Sequence, residues 1–199
     1  MLLFPATSSN ILPRDGIVEY TGAVFTPAEA AEHFESLSAL PDWRHDETVI
    51  FGKRIVTSRM VAWYGDHPFE YTYSRITRRA LPWPPAVLAL KAVAERETGE
   101  TYNSCLLNLY HNGSEGMGWH SDNEPELKKE GAICSFSFGA DRRFSFKHKQ
   151  TGEKVDILLE NGSLLLMKGS TQAHWLHRLP PAKKILTPRI NLTFRTIAR

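Results

Sequence analysis

A histidine and an aspartate placed two residues apart are the first sign of chemistry in this sequence. They are His120 and Asp122, in the run Trp119-His120-Ser121-Asp122. On an extended chain, residues i and i+2 point to the same side, so both side chains can reach one metal ion. The pair alone is weak evidence, because the same spacing also occurs in ordinary loops. A metal site would need a third ligand from elsewhere in the chain.

Two histidines nearer the end of the chain offer that third ligand. They are His174 and His177, in the run from Ala173 to His177. Two histidines and one carboxylate on one side of an octahedral ion leave three positions open, which is typical of non-haem Fe(II) oxygenases. For His174 we favour an ordinary surface or core histidine, but the residues by themselves leave the choice of ligand open.

The segment from Arg189 to Arg195 alternates polar and apolar residues. Its polar positions are Arg189, Asn191, Thr193 and Arg195. A solvent-exposed polar face is the default explanation of such alternation. If this face pointed inward, its two arginines would need anions. They would lie about 20 Å apart at ~3.3 Å per residue, and their long side chains could hold the two ends of a small dicarboxylate.

A second strand-like segment carries Asn108 and Tyr110 on one face. Both side chains can donate or accept hydrogen bonds, and they could add to such a dicarboxylate site. Ordinary sheet polarity explains the pair equally well, so these two residues are candidates only.

The composition limits the classes of protein to which this chain can belong. The chain has 199 residues, of which 42% are hydrophobic and 23% charged, with a net charge of +2. These values fit one soluble domain and exclude a strongly basic wrapping protein, but not a local basic patch. The two cysteines, Cys105 and Cys134, are too few for a disulfide framework and form no C-x-x-C pair for zinc, which favours a reducing compartment. We find no signal peptide, and no apolar run near the roughly 18 residues that span a membrane, and so expect a cytoplasmic protein without membrane contact.

The predicted elements divide the chain into a helical first half and a strand-rich second half. Thr26 as N-cap, Pro27 and Glu29 form a capping box that predicts a helix to about residue 39. A second helix is expected after Pro85, ending before Gly99, and residues 1–20 are expected to be irregular. Strands are predicted over 106–110, 132–138, 143–148, 155–159, 163–168 and 189–197. This order favours a β-sandwich or jelly roll backed by helices.

The segment 43–80 has a composition of its own. It holds seven Lys or Arg residues against four acids, with seven aromatic residues interleaved. Short strands are predicted over 48–51 and 70–73, with turns at Gly52 and at Gly65-Asp66. Lysines and arginines contact phosphates and aromatic rings stack on bases, so the segment suits nucleic-acid binding. A half-buried hairpin layer with a solvated basic face is the alternative.

Four motifs in order give the sequence a resemblance to a known family. They are Asn108-Leu-Tyr110, His120-Ser-Asp122, His177-Arg-Leu-Pro180 and Pro188-Arg189-Ile-Asn191-Leu-Thr-Phe-Arg195. The series resembles that of the AlkB family of Fe(II)- and 2-oxoglutarate-dependent nucleic-acid dealkylases, from about residue 43 to 197. The resemblance implies an α+β fold over 1–199: a double-stranded β-helix (jelly roll) core at about 101–197, backed by N-terminal helices. A β-hairpin nucleotide-recognition lid is implied at about 43–80.

The resemblance also implies roles for individual residues. It assigns the iron to His120, Asp122 and His177, and so selects His177 over His174. Arg189 matches the arginine that holds the distal carboxylate of 2-oxoglutarate, and Arg195 the one near its keto-acid end. Further cosubstrate contacts are implied for Asn108, Tyr110 and Asn191.

The substrate contacts implied by the resemblance fall into two groups. Tyr73 matches an aromatic residue that stacks on the flipped base opposite His120, and the base pocket also takes in Tyr71, Ser74, Asn123 and Glu124. Asn123 stands where close relatives often carry an acid, so it has no charge to offer a cationic base.

The second group resembles features of the homologues that repair duplex DNA. Ile50 and Phe51, before Gly52-Lys53, resemble their duplex-probing hairpin. Lys183 and Lys184 resemble their basic loop, although Ala182 replaces the usual basic residue.

The implied activity is DNA repair by oxidative demethylation of N-alkylated bases such as 1-methyladenine and 3-methylcytosine. The reaction depends on Fe(II), consumes 2-oxoglutarate and O2, and releases succinate, CO2 and formaldehyde. A methyl group on a Watson–Crick nitrogen lies inside the duplex, so the base must be flipped out. The expected partner of this monomer is alkylated DNA, duplex or single-stranded, with RNA as a further candidate. The alternatives are the same iron site acting on RNA or a protein side chain, and a non-catalytic binding module, which the complete set of ligands and arginines disfavours.

Overall fold

The computed structural model of the protein describes residues 9–50, 53–73 and 76–198. Within these ranges the chain forms thirteen strands and three helices. In chain order they are β1 (Ile17–Ala23), α1 (Pro27–Ser38), β2 (Arg44–Ile50), β3 (Lys53–Gly65), β4 (Glu70–Tyr73), β5 (Ile76–Arg79), α2 (Pro85–Thr98), β6 (Ser104–Tyr110), β7 (Met117–His120), β8 (Ile133–Gly139), β9 (Arg142–His148), β10 (Lys154–Leu159), β11 (Ser163–Lys168), α3 (Thr171–His174), β12 (Trp175–Leu179) and β13 (Arg189–Arg195).

The strands form two facing sheets and a small separate one. The major sheet has seven strands in the order β1-β11-β8-β13-β6-β3-β2, and the minor sheet has four in the order β10-β9-β12-β7. Strands β4 and β5 pair only with each other. Antiparallel pairing with this crossed order is the pattern of a jelly roll. The predicted jelly-roll core backed by helices is confirmed.

Both long helices begin and end where the sequence indicates. Thr26 accepts from the backbone N–H of Glu29, whose side chain accepts from the backbone N–H of Thr26, so the predicted capping box is present. Helix α2 ends at Gly99, whose φ of 70° is in the left-handed region that favours glycine. Both helices contribute buried apolar residues, Leu37 and Leu90 among them, to the core on one face of the major sheet.

The other face of the major sheet meets the minor sheet. A second apolar cluster between the two sheets includes Val18, Phe146, Leu165 and Trp175. The major sheet is therefore covered on both faces, and its polar residues that point toward the minor sheet are enclosed. This is the side of the sheet on which Arg189 lies, buried to 2% exposure.

Several sequence-based expectations need correction. Residues 1–20 are not all irregular, because β1 begins at Ile17 and pairs with β11 at the edge of the major sheet. Strands β7 and β12 were not predicted, because they have only four and five residues and their sequences, MGWH and WLHRL, do not alternate polar and apolar residues regularly. Strand β13 ends at Arg195, and Ile197 beyond it forms only an isolated bridge with Leu127.

The segment 43–80 is partly continuous with the major sheet. Strands β2 and β3 pair as a hairpin, and residues Met60–Gly65 of β3 also pair with β6. The thirteen-residue strand β3 was not predicted. Its first half pairs with β2, the edge strand of the major sheet, and β4–β5 form a second hairpin. Phe51 and the predicted turn residue Gly52 lie outside the described residues.

Two further observations concern the class of protein. Cys105 and Cys134 are both free and buried. None of the helices in the described ranges combines the length and the apolar character needed to cross a membrane.

Candidate metal centre and cosubstrate cavity

The register of β7 and β12 brings two histidines together. His177 lies directly opposite His120, with ring centroids 4.2 Å apart. Asp122 follows β7 by two residues, and its carboxylate completes a group whose ligand atoms all lie within 4.8 Å of one another. Among the described residues this is the one cluster of His, Cys, Asp and Glu with that spacing.

Each imidazole is held with one nitrogen available. His120 Nδ1 lies 2.8 Å from the backbone oxygen of Gly118, to which it donates when protonated, so Nε2 is left for a ligand bond. His177 is 4% exposed and its ring lies against Phe144 with centroids 5.5 Å apart. Burial lowers the pKa of His177 to about 3, so its imidazole is neutral at physiological pH, as metal binding requires.

Asp122 is fixed from two sides. Its backbone N–H donates to Gln172 Oε1 at 2.9 Å, and its Oδ2 accepts from Arg195 Nη2 at 2.8 Å. Burial alone would raise the pKa of the Asp122 carboxyl, but the Arg195 guanidinium beside it holds that pKa below its usual range. The carboxylate is therefore anionic and oriented toward the two histidines.

His174 does not take part in this cluster. It ends the one-turn helix α3, and its ring is parallel to that of His148 with centroids 6.2 Å apart. The geometry brings His177, not His174, to the other two ligands.

A cavity between the two sheets adjoins the three ligands. Its lining includes the five residues predicted to bind the cosubstrate, which are Asn108, Tyr110, Arg189, Asn191 and Arg195. The polar face of β13 therefore points into the molecule, and the alternative of a solvent-exposed face does not apply.

Arg189 is a buried cation without a carboxylate partner among the described residues. Its Nη2 donates to Ser137 Oγ at 2.8 Å, and its guanidinium lies 5.6 Å from the centre of the Tyr110 ring. Its Nε is buried and has no partner in the described part of the chain. Burial lowers the pKa of Arg189 to about 10, so the side chain is still charged at pH 7. A buried charge of this kind is stabilised by a bound anion.

Arg195 differs from Arg189, because it already has an anionic partner in Asp122. It can still line the cavity, but its first role in the geometry is to orient a metal ligand. Asn191 donates to Ser135 Oγ at 2.7 Å and to the backbone oxygen of Phe136 at 2.8 Å, so its amide is engaged by β8. Asn108 Oδ1 is buried with no partner in the described residues, which leaves it free for a ligand.

The donor set fits the groups that the sequence predicted. Two imidazoles and one carboxylate form a facial set for Fe(II) that leaves positions open. A buried guanidinium at the other end of the same cavity fits the distal carboxylate of 2-oxoglutarate. The orphaned Arg189 Nε and Asn108 Oδ1 are polar groups that such a cosubstrate would satisfy.

The sequence analysis did not identify three residues that support the site. Gln172 anchors the backbone of Asp122, Ser137 accepts from Arg189, and Ser135 accepts from Asn191. The two serines had a signal: they alternate with Cys134, Phe136 and Phe138 along β8, and so share the face that points to the cavity. Gln172 had none, because it acts on a residue fifty positions earlier in the chain.

A larger pocket opens beside the cavity and shares Leu106 and Arg195 with it. This substrate pocket has a volume of about 430 Å³ and lies between the hairpins of segment 43–80 and the residues after Asp122. Glu124 and Glu126 line it, each with a buried carboxylate oxygen that has no partner among the described residues. Burial raises the pKa of the Glu124 carboxyl.

The remaining predicted substrate contacts are only partly described. Asn123 lines a small cavity behind Asp122 together with Glu124, and Lys183 and Lys184 are exposed on the loop after β12. Phe51 and Ser74, and the side chains of Ile50, Tyr71 and Tyr73, lie outside the described residues.

Comparison with known proteins agrees with this site. Residues 17–195 match the family model described as the 2OG-Fe(II) oxygenase superfamily. The chain is 47% identical over 149 residues to alpha-ketoglutarate-dependent dioxygenase alkB homolog 3 of Homo sapiens, covering 70% of this chain and 51% of that protein. Its match to the Bos taurus homolog 3 is 42% identical and covers 85% of this chain and 62% of the relative. The chain thus spans about half to three-fifths of the length of these relatives.

A second group of relatives is covered more fully. The chain is 39% identical over 185 residues to DNA oxidative demethylase ALKBH2 of Homo sapiens, covering 87% of this chain and 71% of that protein. The part of the chain that the family model matches, residues 17–195, contains the positions of all the predicted metal ligands and cosubstrate residues. The chain therefore belongs to the 2OG-Fe(II) oxygenase superfamily and, within it, to the family of AlkB homologues.

Proposed function

We propose that this protein is a DNA repair enzyme that oxidatively demethylates N-alkylated bases. The observation that carries the proposal is the adjacency of two spaces: the substrate pocket and the cavity of the metal centre share Arg195 and Leu106. A base in the first would have its alkyl group next to the His120, Asp122 and His177 set. The similarity to a protein named DNA oxidative demethylase supports the same substrate class.

The residues of the chain divide the work of such a reaction. Iron with 2-oxoglutarate and O2 supplies the oxidation of the alkyl group when these are bound. His120, Asp122 and His177 would hold the metal, and three protein ligands would leave coordination positions for the cosubstrate. Arg189 binds the distal carboxylate of the cosubstrate, and its burial beside Tyr110 keeps water from competing for the guanidinium.

The substrate pocket supplies recognition of a base. Glu124 and Glu126 each offer a buried oxygen that accepts a hydrogen bond from an amino group. Exocyclic amines occur on adenine and cytosine, and their N-methylated forms at the Watson–Crick edge carry positive charge. Anionic or hydrogen-bond-accepting walls therefore favour these bases, even though Asn123 lacks a charge of its own. Arg44, which is exposed and lines the pocket, suits a phosphate beside the base.

The test is turnover of defined oligonucleotides. Purified protein with Fe(II) and 2-oxoglutarate is given 1-methyladenine or 3-methylcytosine in single-stranded DNA, in duplex DNA and in RNA of the same sequence. We expect formaldehyde and succinate in equal amounts with DNA, and a background rate with the unmethylated strand. Succinate release that no methylated oligonucleotide stimulates would contradict the proposal. Stimulation by RNA alone would move the substrate to RNA.

We also propose that the enzyme acts as a monomer in the cytoplasm. The support is its composition, with a net charge of only +2 and two cysteines that are both free and buried. Light scattering of the purified chain tests the first part, and fractionation of cells that express it tests the second.

A further inference from the structure

One carboxylate, that of Asp46, accepts hydrogen bonds from two arginines on different hairpins. Its Oδ2 pairs with Arg59 of β3, and its Oδ1 pairs with Arg78 of β5. The side chains of Arg59, Asp46 and Arg78 are 9%, 14% and 20% exposed, so this cluster is largely removed from water. Charge-assisted hydrogen bonds in such surroundings are stronger than those at a surface.

The position of Asp46 explains how one residue reaches both partners. The register of β2 and β3 shifts between His45 and Glu47, and Asp46 is the residue at this irregularity. The extra residues of this bulge lie on β3 and include Arg59, which is thereby taken out of the regular alternation of its strand opposite Asp46. Arg78 also donates to the backbone oxygen of Glu47 at 3.1 Å. The β4–β5 hairpin, which forms a two-stranded sheet of its own, is therefore tied to β2 through Arg78.

The cluster continues toward the metal centre. Arg59 Nη1 donates to Met117 Sδ at 3.1 Å, and Met117 is the first residue of β7, the strand that ends with His120. A line of contacts thus runs from Arg78 at the wall of the substrate pocket, through Asp46 and Arg59, to the strand that carries a metal ligand. Loss of Asp46 would break this line at the hairpins and leave the Arg59–Met117 contact in place.

Electrostatics make Asp46 essential to this arrangement. Two guanidinium groups and one carboxylate sum to a net charge of +1. Without the carboxylate, two poorly hydrated cations from separate hairpins would face each other. Removal of one partner of a buried ion pair leaves an uncompensated charge and is strongly destabilising. Repulsion between Arg59 and Arg78 would be relieved most easily by movement of the β4–β5 hairpin, because that hairpin pairs with no other strand in the described part of the chain.

We propose that Asp46 is a positioning residue that holds the β4–β5 hairpin against the substrate pocket and so sets the affinity for the nucleic-acid substrate. The identity of the substrate in this inference rests on the proposed function, whereas the contacts of Asp46 with Arg59 and Arg78 do not depend on it. The hairpin carries Tyr71 and Tyr73, the two tyrosines that the sequence assigns to base contact. Asp46 itself does not line the pocket, so it acts through Arg59 and Arg78.

The first test separates substrate binding from the chemistry. Asp46→Asn keeps the shape of the side chain and removes its charge. We expect the KM for a 3-methylcytosine oligonucleotide to rise about tenfold or more, the effect of truncating a buried charge pair. We expect kcat, and the slow succinate release without nucleic acid, to change by less than about twofold, because every cavity-lining residue is retained. Asp46→Glu restores the charge and should recover most of the lost affinity.

The second test needs no substrate. Hydrogen exchange of backbone amides in β4 and β5 should be faster in Asp46→Asn than in the wild type, whereas exchange in β13 should be equal in both. The matched control is Asp156→Asn, which removes a carboxylate that pairs with Arg143 at 3.8 Å on an exposed surface. It should leave both the KM and the exchange of the hairpin unchanged.

The outcomes distinguish this inference from the proposed function. If the wild type does not act on methylated oligonucleotides, the proposed function fails, and hairpin exchange alone then decides the role of Asp46. Equal exchange in Asp46→Asn and the wild type would overturn the role of Asp46, as would an unchanged KM in an active enzyme. A lower melting temperature with equal KM would make Asp46 merely structural and would also overturn it.

Discussion

The guanidinium of Arg195 donates to Oδ2 of Asp122 at 2.8 Å, which joins the last strand to the carboxylate of the metal centre across 73 residues of sequence. The other oxygen, Oδ1, lies 4.0 Å from Nε2 of His120. One carboxylate oxygen is thus occupied by an arginine, and the other faces the histidines. Arg195 therefore leaves Oδ1 as the oxygen of Asp122 that would be available to a metal ion.

From this ion pair we expect Arg195→Met to weaken metal binding while the fold is retained. Residues that orient a metal ligand typically contribute about 10–100-fold to metal affinity, and the variant also leaves a buried carboxylate without its cation. Titration with Co(II), followed by its visible absorption, measures the affinity directly. Arg143→Met is the control, because the Arg143 side chain is 69% exposed and pairs with Asp156 at 3.8 Å on the surface. A Co(II) affinity equal to that of the wild type would show that Asp122 is oriented without Arg195.

Arg189 is expected to govern 2-oxoglutarate rather than nucleic acid. In Arg189→Lys the charge remains, but an ammonium group cannot make the planar two-pronged contact that a guanidinium makes. We expect the KM for 2-oxoglutarate to rise about tenfold or more, since charge-assisted bidentate contacts are the strong ones. The dissociation constant for a methylated oligonucleotide should not change. The opposite pattern, with weaker nucleic-acid binding and an unchanged cosubstrate KM, would mean that the face of β13 serves the substrate.

The candidate metal ligands and cosubstrate residues were the most predictable part of the site. The i, i+2 spacing of His120 and Asp122 predicted that both side chains reach one point, and the alternation of β13 predicted that Arg189 and Arg195 share a face. The choice between His174 and His177 could not be made from spacing. It depends on the register that sets His177 opposite His120, which is a tertiary property.

The supporting contacts were not predictable for the same reason. Gln172 and Ser137 act on residues about fifty positions away, and hydrogen bonds of that range leave no local pattern. Asp46 looks like one of several charges on a solvated strand, and only the bulge in the β2–β3 pairing, whose extra residues lie on β3, places it between two arginines. The capping box of α1 could be predicted because all its partners lie within four residues of sequence.

A stacked pair on the outer face of the minor sheet is expected to hold the ligand strands together. Strand β7 has four residues and lies at the edge of the sheet, and its register with β12 shifts between His177 and Leu179. The guanidinium of Arg178 lies 4.4 Å from the centre of the Trp119 ring, which bridges the two strands next to the ligands His120 and His177. This cation–π contact stabilises the arrangement by about 0.5–1 kcal/mol.

Trp119→Leu should therefore weaken Co(II) binding about threefold, which corresponds to ~0.7 kcal/mol. Trp119→Phe keeps an aromatic face and should recover part of the loss. Both variants need a melting curve, because a loss of affinity that follows only the melting temperature would point to general destabilisation. Equal affinities in the Leu and Phe variants would also count against the stacked contact.

Gly113 is distant in sequence from Lys183 and Lys184 but is expected to fix the position of the loop that carries them. The backbone of Gly113 exchanges two hydrogen bonds with the loop after β12: its oxygen accepts from Ala182 N at 2.6 Å, and its N–H donates to the oxygen of Ile185 at 2.7 Å. A Cβ at Gly113 would overlap the carbonyl of Ala182, and no side-chain rotation can relieve a clash with backbone. Gly113→Ala should therefore displace the loop that carries the exposed Lys183 and Lys184.

The expected result of Gly113→Ala is weaker nucleic-acid binding with unchanged Co(II) affinity. Each phosphate contact contributes about 0.9 to the slope of log affinity against log salt on duplex DNA, so loss of two contacts should lower the slope by about 2. The double variant Lys183→Ala/Lys184→Ala should lower it equally, and adding Gly113→Ala to it should cause little further change. Ser114→Ala, in the same turn but without a backbone clash, is the matched control. A salt slope in Gly113→Ala equal to that of the wild type would show that the loop keeps its place or that its lysines do not contact phosphates.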